Sequence, residues 1–477
     1  MHWLASGWFA DPGAWLGRAI FEHGLAAILC IAFIGSARQF PGLLGERGLL
    51  PIRPYLHSTR FWQRPGIFGR YFSDRFYLIV AWTGAVLAGL CVAGIARMLP
   101  IWAHLLIWLV LYLLYRSIVS VGQRWYGFLW EMILCEATLL AVFIVPSSIT
   151  PTKVMTYALA WLLFRIEFGA GLIKLRGDSC WRDLTCLMYH HETQPMPGPL
   201  SWYFHHLPRG AHKIETGANH VVQLIVPWFL FIPGPSRSTA ALLIALTQIW
   251  LVLSGNFAWV NFLTIVLALS LLQSDWLHVV LPVTEPNLAP TPAIWTILII
   301  LFGAAILVCS WWPIRNMISK QQRMNQTYNP FMLCNSYGAF GSIGRTRYEV
   351  IIEGTTSQDA PWQQYEFHGK PGNVMKRPPQ LAPHHDRLGW MLWFAALSPA
   401  YRRGWFEVLL VRLLQGEPAV LRRVRQNPFL DAPPLYIRAQ LYEYRFTTRT
   451  EKQATKAIWH RTLISTVAQE RRLRTAD

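Results

Sequence analysis

Three ionisable residues, Arg165, Glu167 and Lys174, interrupt the otherwise apolar run from Leu163 to Leu175, and any chemistry in this chain is expected to start there. A charge at mid-membrane depth costs about 2.5–3.5 kcal/mol even on the lenient insertion scale, so each group requires a partner or a wet cavity. Glu167 and Lys174 are seven residues apart and share one helical face about two turns apart, while Arg165 points elsewhere. On a functional reading, Lys174 is a desolvated amine able to act as a base, with Glu167 or Glu136 setting the field around it. On a structural reading, Lys174 reaches the interface beside Arg176, and Arg165 and Glu167 pair with Glu131 or Glu136. Gly169, Ala170 and Gly171 would let a neighbouring helix or a ligand approach the backbone closely.

The next loop, 176–218, carries Trp181-Arg182-Asp183, then His190-His191-Glu192-Thr193-Gln194, then Trp202-Tyr203-Phe204-His205-His206. His191 joins Lys174 and Glu167 as a candidate catalytic residue. Trp181, His190, Glu192, Gln194, Trp202, Tyr203, His205 and His206, with Arg165, are candidate binding residues. Two histidine pairs raise a metal hypothesis. Their spacing is not His-Glu-x-x-His, adjacent histidines on a helix diverge by about 100°, and no cysteine pair completes a zinc set. The expectation is no metal and no cofactor, with the histidines lining a recess or capping helices. The glycine-rich stretch Ser336 to Gly344 has neither phosphate-loop nor dinucleotide spacing and reads as a turn.

These residues must be positioned by helices in lipid. Of 477 residues, 53% are apolar and 14% charged, whereas charged residues in a soluble protein approach ~25%. Leu78–Ala96, Met98–Tyr115, Ser238–Ser274 and Pro286–Ile314 are long and apolar enough to supply crossings of ~20 residues. The expected spans are Ala19–Gly35, Phe76–Ala96, Pro100–Val121, Gly127–Val145, Val154–Leu175, Asn219–Ile232, Ala240–Ser254, Phe257–Leu272 and Ile294–Trp312, about nine in all. The net charge of +18 comes largely from arginines beside these spans, including Arg38, Arg47, Arg53, Arg60, Arg64, Arg70 and Arg75, which suits anionic lipid rather than nucleic acid. The positive-inside rule puts that loop, the Arg116–Arg124 loop and the region after Arg315 in the cytoplasm. Loop 176–218 and the region after Arg315 share one side on either orientation.

From Met324 the pattern changes. Tyr348, Val350 and Ile352 alternate with Glu349 and Glu353, and Tyr436 to Phe446 alternates likewise, which predicts a small antiparallel sheet. Leu388–Leu397 and Trp405–Leu414 read as amphipathic helices, and Arg461–Arg474 as a solvated helix. The fold expected is an α-helical multi-pass membrane bundle over 1–323, a water-facing, β-rich α+β domain over 324–450 and a basic tail over 451–477. If Ser179–Tyr189 is one helix, Cys180 and Cys186 lie about 9 Å apart along it, beyond disulfide reach.

The block Trp181-Arg182-Asp183-Leu184-Thr185 through Tyr189–Pro195, Pro199–Tyr203 and His205–Pro208 to Asn219-His220 resembles the central block of the lipase maturation factor family. Gly255-Asn256 with Asn261–Thr264, and Asn329-Pro330-Phe331, Tyr337–Gly341 and Arg347-Tyr348-Glu349, resemble its later blocks, adding Asn219, His220, Asn256 and Asn261 to the candidate binding residues. The resemblance implies a multi-pass membrane protein, resident in the endoplasmic reticulum in animals, that helps secreted lipases fold and assemble, its loop and C-terminal domain facing the lumen. Gly169–Leu175 also resembles the helix of vitamin K-dependent gamma-carboxylase that carries a catalytic lysine, matched here by Lys174.

The expected function is therefore a membrane-embedded maturation or assembly factor, with the bilayer and a lipase-like client as partners and no nucleic acid. The alternative is an enzyme using Lys174 as base on a quinone-like or lipid substrate. A bacterial inner membrane is the expected location rather than the endoplasmic reticulum. A transporter is a third reading. An enclosed apolar pocket reaching Lys174 would favour the enzyme, a polar path open alternately to two sides the transporter, and a solid bundle the assembly factor.

Overall fold

The structure is a computed structural model that describes residues 9–59 and 65–473; Arg60, Arg64 and Arg474 lie outside that range. Five helical segments are long and apolar enough to cross a bilayer: Pro12–Leu43, Asp74–Val92, Ile101–Val121, Pro235–Ser254 and Ala293–Ile318. Within the bundle the principal helices are α1 (Trp15–Leu43), α2 (Asp74–Val92), α3 (Ile101–Val121), α4 (Leu129–Val142), α5 (Lys153–Arg176), α6 (Leu187–Thr193), α7 (Arg209–Leu224), α8 (Pro235–Ser254), α9 (Val260–Leu269) and α10 (Ala293–Ile318).

Four of the nine expected spans take a different form. α5 has the length, 24 residues or about 36 Å, but holds the ionised trio. α4 and α9, at 14 and 10 residues, reach only about 21 and 15 Å. The expected Asn219–Ile232 span is two pieces, the end of α7 and a 3-10 turn over Val226–Phe231, because Pro227 lacks the amide that would continue the ladder.

The helix ends gather at two rims. At one, Asp11 N donates to Pro151 O, Ser147 N to Arg97 O, Thr150 N to Ala289 O and Ser274 Oγ to Gly13 O. Arg18 closes this rim by donating to the carbonyls of Pro146 and Ser147 at 2.9 and 3.1 Å. At the other rim the bundle meets the C-terminal domain: Gln39 Nε2 donates to His385 O, Trp130 Nε1 to His385 Nδ1, and Asn256 Nδ2 to Pro379 O.

That domain is a four-stranded antiparallel sheet of β1 (Arg347–Thr355), β2 (Gln363–Gln364), β3 (Tyr436–Phe446) and β4 (Trp459–Arg471), in the order β2-β1-β3-β4. Strands β1 and β3 fall where the alternation placed them. Two helices accompany the sheet, α11 (Arg387–Leu397) and α12 (Phe406–Leu414), with Leu388, Leu392, Leu409 and Leu413 buried. The tail is not a solvated helix. It is β4, registered along β3 from Phe446↔Trp459 to Ile437↔Arg471, and the strand β3 offers outweighs the charge that suggested a solvated tail.

A second correction concerns Cys180 and Cys186, which form a disulfide with Cα atoms 4.8 Å apart. The segment is not one helix. It ends after Arg182, Leu184 adopts a positive φ of 57°, and α6 begins at Leu187, folding the two cysteines back together.

The buried charges have protein partners. Arg165 pairs with Glu136, which also accepts from Cys334 N at 3.0 Å, Asn335 Nδ2 at 2.9 Å and the Tyr337 hydroxyl at 2.6 Å. Glu131 pairs with Arg387 at 2.9 Å, and Glu22 with Arg97 at 3.0 Å. Replacing one member of such a pair strands the other, so Arg165→Leu should destabilise the protein by about 3–5 kcal/mol. A fall in the thermal midpoint of the detergent-purified protein would register this, and an unchanged midpoint would show that the pair is dispensable.

Candidate functional site

α5 and α7 lie side by side because Gly171 leaves room for Leu224 and Gln223, while Gly169 admits the Tyr337 carbonyl from the glycine-rich segment. That close approach is what the Gly-Ala-Gly run anticipates. Between α5, α7, α8 and α9 it leaves a cavity of about 570 Å3 with a predominantly apolar lining. Lys174 and Glu167 lie in its wall with Asn219, Asn261, His190 and Trp181. The exposed residues Ile214 and Leu246 also line it, so the cavity reaches the surface between α7 and α8.

The polar residues in this wall form one continuous chain. Lys174 Nζ donates to Asn219 Oδ1 and Gln223 Oε1, both at 2.8 Å, and stands 4.8 Å above the Trp181 ring. Gln223 Nε2 donates to Glu167 Oε2 at 3.1 Å, and Gln248 Nε2 donates to Glu167 Oε1 at 2.7 Å. Asn261 Nδ2 completes the chain by donating to Gln248 Oε1 at 2.7 Å. Lys174 and Glu167 thus share a face, as their spacing requires, but touch through the Gln223 amide rather than directly. A carboxamide can accept from the ammonium and donate to the carboxylate at once, which satisfies both charges without a salt bridge.

The remaining candidates divide into two groups. His190 stacks on Phe257 with ring centroids 6.0 Å apart and faces the cavity; burial, and next the adjacent His191, lower it to about 3, so it is a neutral ring. His220 Nε2 donates to Trp181 O at 3.0 Å. The others are pins that hold the loop to the rest of the protein. Gln194 Nε2 reaches Ser254 O at 2.9 Å and Ser201 Oγ at 3.0 Å. Asn256 ties Pro197 and Pro379 carbonyls to the Leu381 and Ala382 amides. Glu192 accepts from Phe446 N at 2.6 Å, and Trp202 Nε1 donates to Thr447 O at 2.9 Å. His206 Nδ1 donates to Trp202 O, and Tyr203 is half exposed beside Lys452. His205 lies 3.6 Å from Glu192, and burial followed by the charge of His206 lowers it to about 3. Arg165 belongs to the Glu136 cluster and does not line the cavity. His191 turns away from His190 toward Glu215, with Nε2 3.3 Å from Oε2.

Sequence reasoning missed Gln223, Gln248, His212 and Glu215. A signal existed: His212, Thr216, Asn219 and Gln223 follow a 4-3-4 spacing and are all buried, a polar stripe along one face of α7. Dividing that segment between a loop and a span hid the stripe.

The comparisons with known proteins agree with this architecture. Residues 16–279 match the lipase maturation factor transmembrane domain, and residues 333–469 match the lipase maturation factor C-terminal domain. The chain belongs to the lipase maturation factor family. It is 35% identical to lipase maturation factor 1 of Mus musculus over 93% of this chain and 85% of the relative, and 34% identical to that of Homo sapiens over 93% and 86%. Lipase maturation factor 2 of Mus musculus is 29% identical over 93% and 81%. No solved structure matches. These matches lend no support to the gamma-carboxylase resemblance.

Gln223→Leu removes the shared amide and leaves both Lys174 and Glu167 short of a partner, so it should destabilise the protein by about 1–3 kcal/mol. Gln223→Leu paired with Lys174→Met and Glu167→Gln should recover most of that loss in a thermal unfolding series, whereas purely additive losses would contradict the relay.

Proposed function

We propose that this protein is a membrane-embedded maturation factor that assists folding or assembly of a lipase-like client. The observation that carries the reading is similarity running through both the transmembrane and C-terminal domains of proteins named for lipase maturation. The architecture supports a single client-facing surface. Arg347 on β1 donates to Glu192 O at 2.9 Å and to Pro195 O at 3.3 Å, which ties loop 176–218 to the sheet.

A Cys180–Cys186 disulfide persists in an oxidising compartment, where secreted clients fold, which supports an outward-facing surface against the arginine count. Part of that count carries no topological vote: Arg53 pairs with Glu46, and Arg116 donates to Pro330 O. The segments α1 to α5, α7 with its 3-10 continuation, and α8 to α10 alternate between the two rims, which supports nine traverses even though only five have full apolar length. The arrangement suits a bacterial inner membrane with the loop in the periplasm.

Tyr203→Glu at the exposed seam between loop and sheet should reduce client lipase activity per unit of secreted lipase by about tenfold, equivalent to ~1.4 kcal/mol. Normal lipase output from a variant that accumulates to wild-type level would reject this surface.

The cavity favours a second, compatible reading, in which a lipid- or quinone-like molecule enters between α7 and α8 with its polar end toward Lys174. Ala170→Phe, which narrows the cavity, should abolish a lipid or quinone adduct seen by native mass spectrometry of the wild type. Retention of that adduct would place it elsewhere.

A further inference from the structure

We propose that His191, His212 and Glu215 form a binding site for a divalent transition-metal ion of the zinc class, clamping the central loop to α7. One ligand atom from each residue lies within 4.8 Å of the other two, and all three side chains are buried or nearly so. Glu215 Oε2 stands 3.3 Å from His191 Nε2 and 3.7 Å from His212 Nδ1. Ligands at ~2.1 Å around a tetrahedral ion are separated by about 3.4 Å, so the two contacts to Glu215 already fit within a few tenths of an ångström and the histidine pair closes by at most about 1.4 Å.

A hydrogen-bonded triad explains the geometry less well. His212 Nδ1 is buried without a hydrogen-bond partner, and 3.7 Å to Glu215 is too long for one. The other ring nitrogen, Nε2, lies 3.4 Å from His205 O, which only accepts, and a proton on Nε2 leaves the Nδ1 lone pair free for an ion on the Glu215 side. Trp250 Nε1 donates to Glu215 Oε1 at 2.7 Å, fixing the carboxylate and leaving Oε2 toward the histidines. Outer partners of this kind are what orient the ligands of a metal site.

The sequence objection to a metal concerned the adjacent pairs, and it holds for them. His190 and His191 diverge, and only His191 enters the cluster. The other two ligands come from α7, where His212 and Glu215 sit three apart on one face. A two-histidine, one-carboxylate set suits zinc and leaves a fourth position. Glu215 also lines the Lys174 cavity, and His212 lines a separate recess with His205 and Lys213, so the ion stands in the wall between them.

The test uses the full-length protein in detergent, stripped with chelator and titrated with zinc chloride alone by calorimetry, with bound zinc measured by atomic emission. One zinc per chain is expected, weakened by at least about tenfold in His212→Ala and Glu215→Gln and unchanged in the exposed control His460→Ala. His212→Cys preserves a zinc ligand and should retain binding, which separates loss of the site from loss of fold. Zinc should raise the thermal midpoint of the wild type and not that of His212→Ala. A stoichiometry of zero in the wild type, or undiminished zinc in folded His212→Ala and Glu215→Gln, overturns the proposal.

Discussion

The structure depends on one constraint: charges placed among apolar helices must be satisfied by the protein itself, because lipid offers nothing. Glu136 is the clearest case. Its two oxygens accept from Arg165, two backbone amides, the Asn335 side chain and Tyr337, so a single carboxylate fixes α4, α5 and the 332–337 segment together. Glu131 repeats the device between α4 and α11 through Arg387. The Lys174–Gln223–Glu167 relay is the third instance and differs in kind. Each charge is met by amides rather than by an opposing charge, and the relay borders a cavity rather than packed protein.

That difference separates the structural and functional readings of the ionised helix. Arg165 is held by Glu136 and the Asn335 carbonyl and does not line the cavity. Lys174 and Glu167 are satisfied and also line the cavity. The cavity is apolar and reaches Lys174 but opens between α7 and α8, so it is not the enclosed pocket that would favour the enzyme, while the family relationship favours a client-directed role. The occupant proposed for the cavity is compatible with that role as a support for the folding factor rather than a separate activity.

Much of this was legible in the residues. The seven-residue spacing of Glu167 and Lys174 placed them on one face, and the Gly-Ala-Gly run foretold close approach, as Gly169 against Tyr337 and Gly171 against Leu224 show. Alternation located β1 and β3. The rest was hidden for physical reasons. Pro227 broke an apolar stretch that length alone read as a span, and the positive φ at Leu184 folded back a segment that composition read as a helix. β4 is mostly exposed, and the basic residues around Arg461 and Arg471 suggested a solvated helix although Thr462, Ile464, Thr466 and Val467 are β-branched; β3 supplies the hydrogen bonds. Gln223 and Gln248 are uncharged, and uncharged amides in an oily segment attract no notice until their partners are seen.

The wrapping of Glu136 by residues from far downstream also sets an order of events during synthesis. α4 and α5 enter the membrane while Cys334, Asn335 and Tyr337, nearly 200 positions later, have yet to leave the ribosome. Until that stretch of chain arrives, Glu136 has only Arg165 for company and the groove beside Gly169 stays open. Closure around this buried carboxylate thus waits on translation of the segment beyond α10, so a nascent chain halted at the end of that helix leaves the α4–α5 seam half sealed.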